Sequence, residues 1–197
     1  IHRILIDIFD RAKEWKLIKS NPARAVKRPK DDTEEREVFY EKELLTVFQR
    51  LEKEPLKWRT FVEMAATTGM RRGELLALDI RHIRLKDNKG FVDVRESLAW
   101  VKGKPYFKEV KSKKSKRTIA LTPEIIPNVK ALSNEVKKNK IMLGDKWKGG
   151  DHMLLFGQWN GLPTYKDTPL NWFKKFLKRH GIKKKVTIHG LRHSMAT

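Results

Sequence analysis

Apolar side chains recur every three or four residues at the start of the chain, at positions 1, 4, 5, 8, 9, 12 and 15. This period predicts an amphipathic helix from residue 1 to about residue 18. Asn21-Pro22 ends that helix, and residues 21–37, with two prolines, a basic run and an acidic run, are typical of a linker. Because one helix cannot build a core alone, we expect residues 1–20 to belong to a preceding domain.

From residue 38 to residue 197 the pattern predicts one further domain. Apolar residues at helical spacing predict helices over 44–51, 61–68, 74–78, 123–136 and 169–181. Segments typical of strands lie between them, at 91–94, 106–110 and 117–121. The predicted fold class is therefore α+β, a mainly helical domain with a small antiparallel three-stranded sheet.

Composition narrows the possible partners. The chain has 45 lysines and arginines against 24 aspartates and glutamates, a net charge of +21 over 197 residues. This excess favours a nucleic acid partner over an anionic lipid or no polyanion at all, but it does not separate DNA from RNA. The absence of cysteine excludes disulfides, thiolate metal sites and cysteine nucleophiles. No apolar run has the length of a membrane span and no signal peptide opens the chain, so we expect a cytoplasmic protein.

The segment 68–78, TGMRRGELLAL, is the first of three candidate motifs. Gly69 ends one predicted helix and Arg71 begins the next, where free backbone N–H groups favour an anion. An arginine there can donate to two phosphate oxygens at once, and Glu74 lies one turn further on, close enough to orient the guanidinium. Taken alone, the same residues also fit an ordinary surface Arg–Glu pair.

The segment 187–197, TIHGLRHSMAT, is the second motif. His189 and Arg192 are three residues apart and share one side of a helical turn. The histidine can exchange a proton near neutral pH, and the arginine keeps a planar positive charge. His189 and His193 could instead bind a metal ion, but Arg192 between them would repel a cation and a third ligand is not near in sequence.

The third motif is the segment 111–119, KSKKSKRTI, at a turn between two predicted strands. Lysine-rich turns of this kind are commonly only solvated, or contact phosphates. On its own the segment does not identify a catalytic lysine.

Together the three segments resemble the phage integrase or tyrosine recombinase family. The pattern T-G-x-R-x-x-E-L-x-x-L, then K-[ST]-x-x-S-x-R-x-[IV] on a hairpin, then H-x-L-R-H-[ST]-x-A-T, occurs here in order and at the family's separations. Each motif is weak or moderate alone, whereas the ordered set is specific and covers nearly the whole chain. By this resemblance residues 1–20 are the last helix of an N-terminal core-binding domain, 21–37 are the interdomain linker and 38–197 are the catalytic domain.

The resemblance implies a site-specific recombinase or integrase of a phage or integrative mobile element, which works without metal, ATP or another cofactor. A tyrosine attacks a DNA phosphate, forms a 3′-phosphotyrosyl bond and releases a 5′-hydroxyl, which later attacks a partner strand. By this analogy Arg71 and Arg192 would bind the scissile phosphate. Lys111 would protonate the leaving 5′-oxygen, and His189 would assist proton transfer or hydrogen-bond the phosphate.

The resemblance also implies supporting residues and partners. Glu74 and His193 would support the catalytic residues, and four basic side chains would contact DNA: Arg72, Lys113, Lys114 and Lys116. The partner would be double-stranded attachment-site DNA in the cytoplasm of a bacterial host, with no membrane involved. We expect a homotetramer on DNA for the complete protein and a monomer for this fragment.

Two features depart from the family pattern. The family's third histidine or tryptophan and its tyrosine follow the H-x-x-R motif, and this sequence ends five residues after Arg192. Tyr40, Tyr106 and Tyr165 all precede that motif, so we expect the fragment to lack the nucleophile and to end before it. Several lysines share the hairpin, among which Lys111 matches the pattern best.

Two other classes stay open. A DNA-binding module of the helix-turn-helix kind fits the helix–Gly69–helix pattern, but it has no need for a histidine beside two arginines. A type IB topoisomerase shares the chemistry and reseals a single duplex. The wording of the motifs favours the recombinase.

Overall fold

A computed structural model describes residues 1–27, 37–109 and 116–193, apart from the side chain of residue 193. The chain forms two compact units, Ile1–Glu35 and Arg36–Thr197. In the described part the helices are α1 (His2–Glu14), α2 (Glu41–Leu51), α3 (Leu56–Thr68), α4 (Arg72–Leu76), α5 (Ile126–Leu143), α6 (Thr168–Arg179) and α7 (Ile188–His193). The strands are β1 (Ile83–Lys86), β2 (Lys89–Val94), β3 (Glu96–Val101), β4 (Lys104–Glu109) and β5 (Arg117–Leu121). Of the helices in these ranges, none combines the length and the apolar character that crossing a membrane requires.

The first unit consists of α1 and the turn that follows it. Lys16 takes a left-handed φ of 59°, and the helix ends earlier than the apolar pattern predicted. The side chain of Asn21 is buried and donates a hydrogen bond to Asp10, which also accepts two from Arg24. Residues 21–24 therefore contact the helix, at the start of the segment that the sequence predicts as a linker. The rest of the predicted linker lies largely outside the described residues.

The core of the second unit surrounds α3. Residues 60–66 of this helix are all buried, and α5, α6 and α7 pack against it. Phe61 contacts Phe156 edge-to-face, with ring centroids 4.9 Å apart, and Phe173 and Phe176 of α6 are fully buried in the same core. These aromatic rings make α3 the fixed element from which the chain turns into α4.

The strands confirm the predicted α+β fold class, but their number and pairing differ from the prediction. A three-stranded antiparallel sheet has the order β1-β2-β5, and β3 pairs with β4 in a separate two-stranded hairpin. The predicted strands 91–94 and 117–121 are neighbours in the larger sheet, whereas 106–110 falls in the hairpin, with residue 110 outside the described ones. Strands β1 and β3 were not predicted.

Buried Asp79 connects two distant segments of the second unit. Its carboxylate accepts hydrogen bonds from the backbone N–H of Arg81 and of Met153, both at 2.9 Å, and from the Arg81 guanidinium at 2.8 Å. The backbone alongside is paired as well, because Leu155 donates to the carbonyl of Leu78 at 2.8 Å. The segment after α4 is thereby attached to the segment that leads towards α6.

We predict that Asp79→Ala lowers the free energy of unfolding by about 3 kcal/mol, because several donors lose one buried, charged acceptor together. Chemical denaturation of the 197-residue chain measures this. The matched control is Asp145→Ala, at an exposed aspartate, for which a change within about 0.5 kcal/mol is expected. Equal stability of the two variants would contradict the assigned role of Asp79.

Candidate active site

The position of Arg71 depends on how α3 ends. Gly69 follows the last residue of α3 and takes a left-handed conformation, with φ 60° and ψ 19°, which favours glycine. The chain then enters α4 directly, and Arg71 is the extended residue immediately before that helix. Its side chain is 57% exposed, so the guanidinium is accessible from solvent at the start of α4.

Both carboxylate oxygens of Glu74 accept hydrogen bonds from Arg71. Oε2 of Glu74 accepts a hydrogen bond from the backbone N–H of Arg71 at 2.8 Å, and Oε1 accepts one from Nη1 at 3.0 Å. The same carboxylate accepts two hydrogen bonds from Arg117 of β5, at 2.8 Å from Nη2 and 3.3 Å from Nη1. The predicted contact between Glu74 and Arg71 is therefore present, and Arg117 is a further partner.

The charge of Glu74 depends on these arginines. Its side chain is only 3% exposed, and burial by itself would raise the pKa of a carboxyl group. The hydrogen bonds from Arg117 and Arg71 outweigh burial, and the pKa of Glu74 lies below its ordinary value of 4.5. Glu74 is therefore an anion at neutral pH, although it is removed from water.

Helix α7 brings the second motif to the same region. Ile188 and Leu191 are buried, and the helix packs against α3. Arg192 is partly buried, with its Cγ 3.9 Å from the position that a Cβ would take on Gly69. The stem of Arg192 thus lies beside the turn that leads into Arg71.

A cleft of about 610 Å³ lies between the start of α4, strand β3 and the start of α7. Arg71 and Arg72 line it from one element and His189 from another, with Lys166 as a further basic residue. A permanent guanidinium charge and an imidazole therefore border one opening. This combination suits an anion that also has to exchange a proton.

Gly73 permits a close contact between α4 and β3. A Cβ on Gly73 would lie 2.6 Å from Oγ of Ser97 and 2.9 Å from the backbone oxygen of Leu98. The Ser97 hydroxyl could rotate away, but the backbone oxygen could not move without displacing the strand. Glycine is therefore required for β3 to line the cleft at this spacing.

The structure brings some of the predicted site residues together and leaves others apart. Arg71, Arg72 and His189 line the cleft, Glu74 is bonded to Arg71, and the stem of Arg192 lies beside Gly69. Their catalytic roles remain predictions.

Lys116 does not line this cleft. It borders a second depression, of about 920 Å³, together with Arg81, Arg95 and Arg117. Lys111, Lys113 and Lys114 lie outside the described residues, as does the side chain of His193.

An aromatic and a basic residue of the cleft were not expected from the motifs. Trp100 of β3 and Lys166 both line the cleft, and Trp100 contacts Tyr165 with ring centroids 4.6 Å apart. Neither lies in a motif, and only the packing of β3 against α4 places Trp100 there. Arg117 differs, because it is part of the S-x-R portion of the lysine-rich motif and its position could have been noted.

The metal alternative from the sequence concerns His189 and His193. Among them, no group of three or more histidine, aspartate or glutamate side chains is placed to bind a metal ion. One of the two histidines, His193, has its side chain outside the described part.

Comparison with known proteins gives consistent matches. Residues 37–197 match the model of the Phage integrase family. The ICEBs1 integrase of Bacillus subtilis (strain 168) is 26% identical over 193 residues, which are 96% of this chain and 50% of that protein. The integrase of Staphylococcus phage L54a is 30% identical over 138 residues, 68% of this chain and 37% of the relative. The chain thus spans half or less of the length of these relatives.

Solved structures share the fold. The Tn1549 transposon integrase in complex with transposon right end DNA superposes with a TM-score of 0.80 and 21% identity, over 98% of this chain and 63% of that one. A lambda integrase dimer bound to a COC' core site gives a TM-score of 0.57 at 19% identity, over 99% of this chain and 49% of that one. At these identities the likeness concerns the fold.

We predict that Glu74→Gln destabilises the chain by roughly 2 kcal/mol at pH 7, because two arginines lose a charged acceptor. The folded-state pKa of Glu74 is lowered, so its contribution is complete above the ordinary value of 4.5 and is lost as the pH falls through the folded value. The difference between wild type and variant should therefore shrink below about pH 4.5.

Urea unfolding at a series of pH values from neutral to acid tests this prediction. Glu124→Gln, at an exposed glutamate, provides the baseline for a surface substitution. A difference that grows as the pH falls would show that the ionised form of Glu74 is not the stabilising one.

Proposed function

Because this chain belongs to the phage integrase family, we propose that it is the catalytic part of a site-specific DNA recombinase of the tyrosine recombinase type. The observation that supports this most is the meeting of two distant motifs. Arg71 and His189 line one cleft, and Arg192 lies against the turn that precedes Arg71. A single phosphate placed in the cleft would be within reach of groups from both motifs.

In the proposed reaction these residues act through their positive charge and form no covalent bond with the DNA. Negative charge develops on the phosphoryl oxygens in the transition state, and fixed guanidinium groups stabilise it. Glu74 contacts one terminal nitrogen of Arg71, while 57% of the Arg71 side chain is exposed. Arg71 is therefore oriented and still accessible to a phosphate, with Arg192 as the second guanidinium in our proposal.

Proton transfer completes the proposed mechanism. The tyrosine hydroxyl loses its proton to a base as its oxygen forms a bond to phosphorus, the bond from phosphorus to the 5′-oxygen breaks, and the leaving oxygen takes a proton. We assign that proton to Lys111, and we assign assistance of proton transfer, or a hydrogen bond to the phosphate, to His189. The remaining assignments are support by His193 and DNA contacts by Arg72, Lys113, Lys114 and Lys116.

The proposed partner is double-stranded DNA carrying the attachment sites of a phage or integrative element. The structural relatives named above are integrases bound to DNA, and the net charge of +21 suits such a partner. We propose that the complete protein acts as a homotetramer on DNA, in the cytoplasm of a bacterial cell.

We predict that the 197-residue chain binds duplex DNA with strong salt dependence and little sequence preference. Each phosphate that the protein neutralises contributes about −0.9 to the slope of log affinity against log salt concentration. Fluorescence anisotropy at several salt concentrations, with two unrelated duplexes, measures both properties. A flat titration would contradict binding through phosphates.

The decisive test is formation of a covalent protein–DNA adduct. On a suicide duplex nicked near the cleavage point, the complete gene product should form an adduct that resists denaturing electrophoresis. The 197-residue chain should form none, because Tyr40, Tyr106 and Tyr165 all precede the H-x-x-R motif. Arg192→Ala should abolish the adduct of the complete protein, and EDTA should leave it intact.

Other outcomes identify the alternatives. An adduct from the 197-residue chain, mapped to one of its tyrosines, would replace the proposed nucleophile. Loss of the adduct in EDTA would point to a metal-dependent nuclease with His189 and His193 as ligands. Binding without any adduct would indicate a DNA-binding module. An adduct without strand transfer between two duplexes would indicate a topoisomerase.

A further inference from the structure

The carboxylate of Glu74 is shared by two arginines that differ in their surroundings. Arg71 is 57% exposed and lines the cleft, whereas Arg117 is 28% exposed and belongs to the paired strand β5. Both oxygens of Glu74 accept hydrogen bonds from both arginines. Glu74 therefore connects an exposed side chain on the cleft to a less exposed one that belongs to the sheet.

We propose that Arg117 is a positioning residue for the recombination reaction, which holds the Glu74 carboxylate in the orientation that aims Arg71 at the scissile phosphate. This inference rests on the proposed function. In this role Arg117 itself does not contact a DNA phosphate.

The location of Arg117 supports an indirect role. The described lining of the cleft includes Arg71 and His189 and does not include Arg117, which borders the second depression instead. Glu74 connects Arg117 to the cleft, because it accepts hydrogen bonds from Arg117 and from the cleft residue Arg71. An effect of Arg117 on the reaction is therefore expected to depend on Glu74.

Arg117 is also the less exposed of the two partners of Glu74, and both of its hydrogen bonds come from the guanidinium. Its guanidinium donates through both terminal nitrogens, at 2.8 and 3.3 Å, whereas Arg71 donates through one terminal nitrogen and its backbone N–H. Hydrogen bonds from Arg117 are also the largest cause that lowers the pKa of Glu74 against the effect of burial. Without Arg117, a buried carboxylate would keep a single arginine that is more than half exposed.

Arg117 also lies close in sequence to the segment that contains Lys111. It is the first residue of β5, the strand that follows residues 110–115, in which the predicted catalytic Lys111 lies. The ion pair with Glu74 thus attaches the start of that strand to α4, which carries Glu74. Glu74 therefore contacts both Arg71 and the residue at which β5 begins.

The experiment compares Arg117→Gln, Arg117→Lys and Glu74→Gln in the complete gene product. Two quantities are measured on the nicked suicide duplex: the single-turnover rate of adduct formation at saturating protein, and the affinity for uncleaved DNA. Arg84→Gln is the matched control, since Arg84 is a 61% exposed arginine of the same sheet that pairs with Asp93 instead of Glu74. It should keep the wild-type rate.

We expect Arg117→Gln to lower the rate by about 10²-fold, as for a misplaced reacting group, while DNA affinity stays at the wild-type value. Arg117→Lys keeps the charge without the paired donors, and it should recover part of the rate. In the presence of Glu74→Gln, adding Arg117→Gln should cause no further loss, because both substitutions remove the same arrangement.

Each contrary outcome has a distinct meaning. A wild-type rate for Arg117→Gln, with Arg71→Ala inactive, overturns the inference and leaves the proposed function intact. Loss of affinity equal to the loss of rate shows direct DNA binding by Arg117 and overturns it too. If Arg71→Ala retains full cleavage, the proposed site itself is wrong. If Arg117→Gln fails to fold in a thermal melt, Arg117→Lys decides: an intermediate rate supports the inference and a wild-type rate overturns it.

Discussion

The carboxylate of Glu74 is removed from water while it stays ionised, and this is possible only because two arginines converge on it. One arginine comes from the start of α4 and the other from the sheet, so the ion pairs join the helical part of the domain to the strands. Neither arginine is fully buried, and their exposed parts remain hydrated. The cluster is therefore neutralised on its inner side and positive towards solvent, which is the polarity that a phosphate requires.

Long periodic segments were predictable and short ones were not. Helix α6 was expected to open at Pro169 and to stop at Gly181, and it spans Thr168–Arg179. Strand β1 was missed because it has only four residues, too few for the alternation of Ile83 and Leu85 with two basic residues to be distinctive. The sequence of the turn after it, Asp87-Asn88, was a clue to a hairpin. Both residues take positive φ, as two-residue hairpin turns of this kind require. The separate β3–β4 hairpin depends on packing against α4, and local periodicity contains no information on such a contact.

The same distinction applies to the candidate site. The motifs predicted that Arg71 and Glu74 would be in contact, because three residues on a helical turn bring them together. That His189 and Arg192 lie near Arg71 depends on the docking of α7 against α3, which the family resemblance implied and the spacing alone did not. Trp100 and Lys166 could not be foreseen, since long-range packing alone places them at the cleft.

The absent side chain of Gly73 has a consequence for how the cleft could change in evolution. Strand β3 reaches the cleft because nothing larger than a hydrogen atom stands between α4 and the backbone of Leu98. Any β-carbon at this position would displace the strand and enlarge the opening, without altering one of the charged groups around it. A substitution at position 73 would therefore change the spacing between α4 and β3 while every charged residue around the cleft is kept.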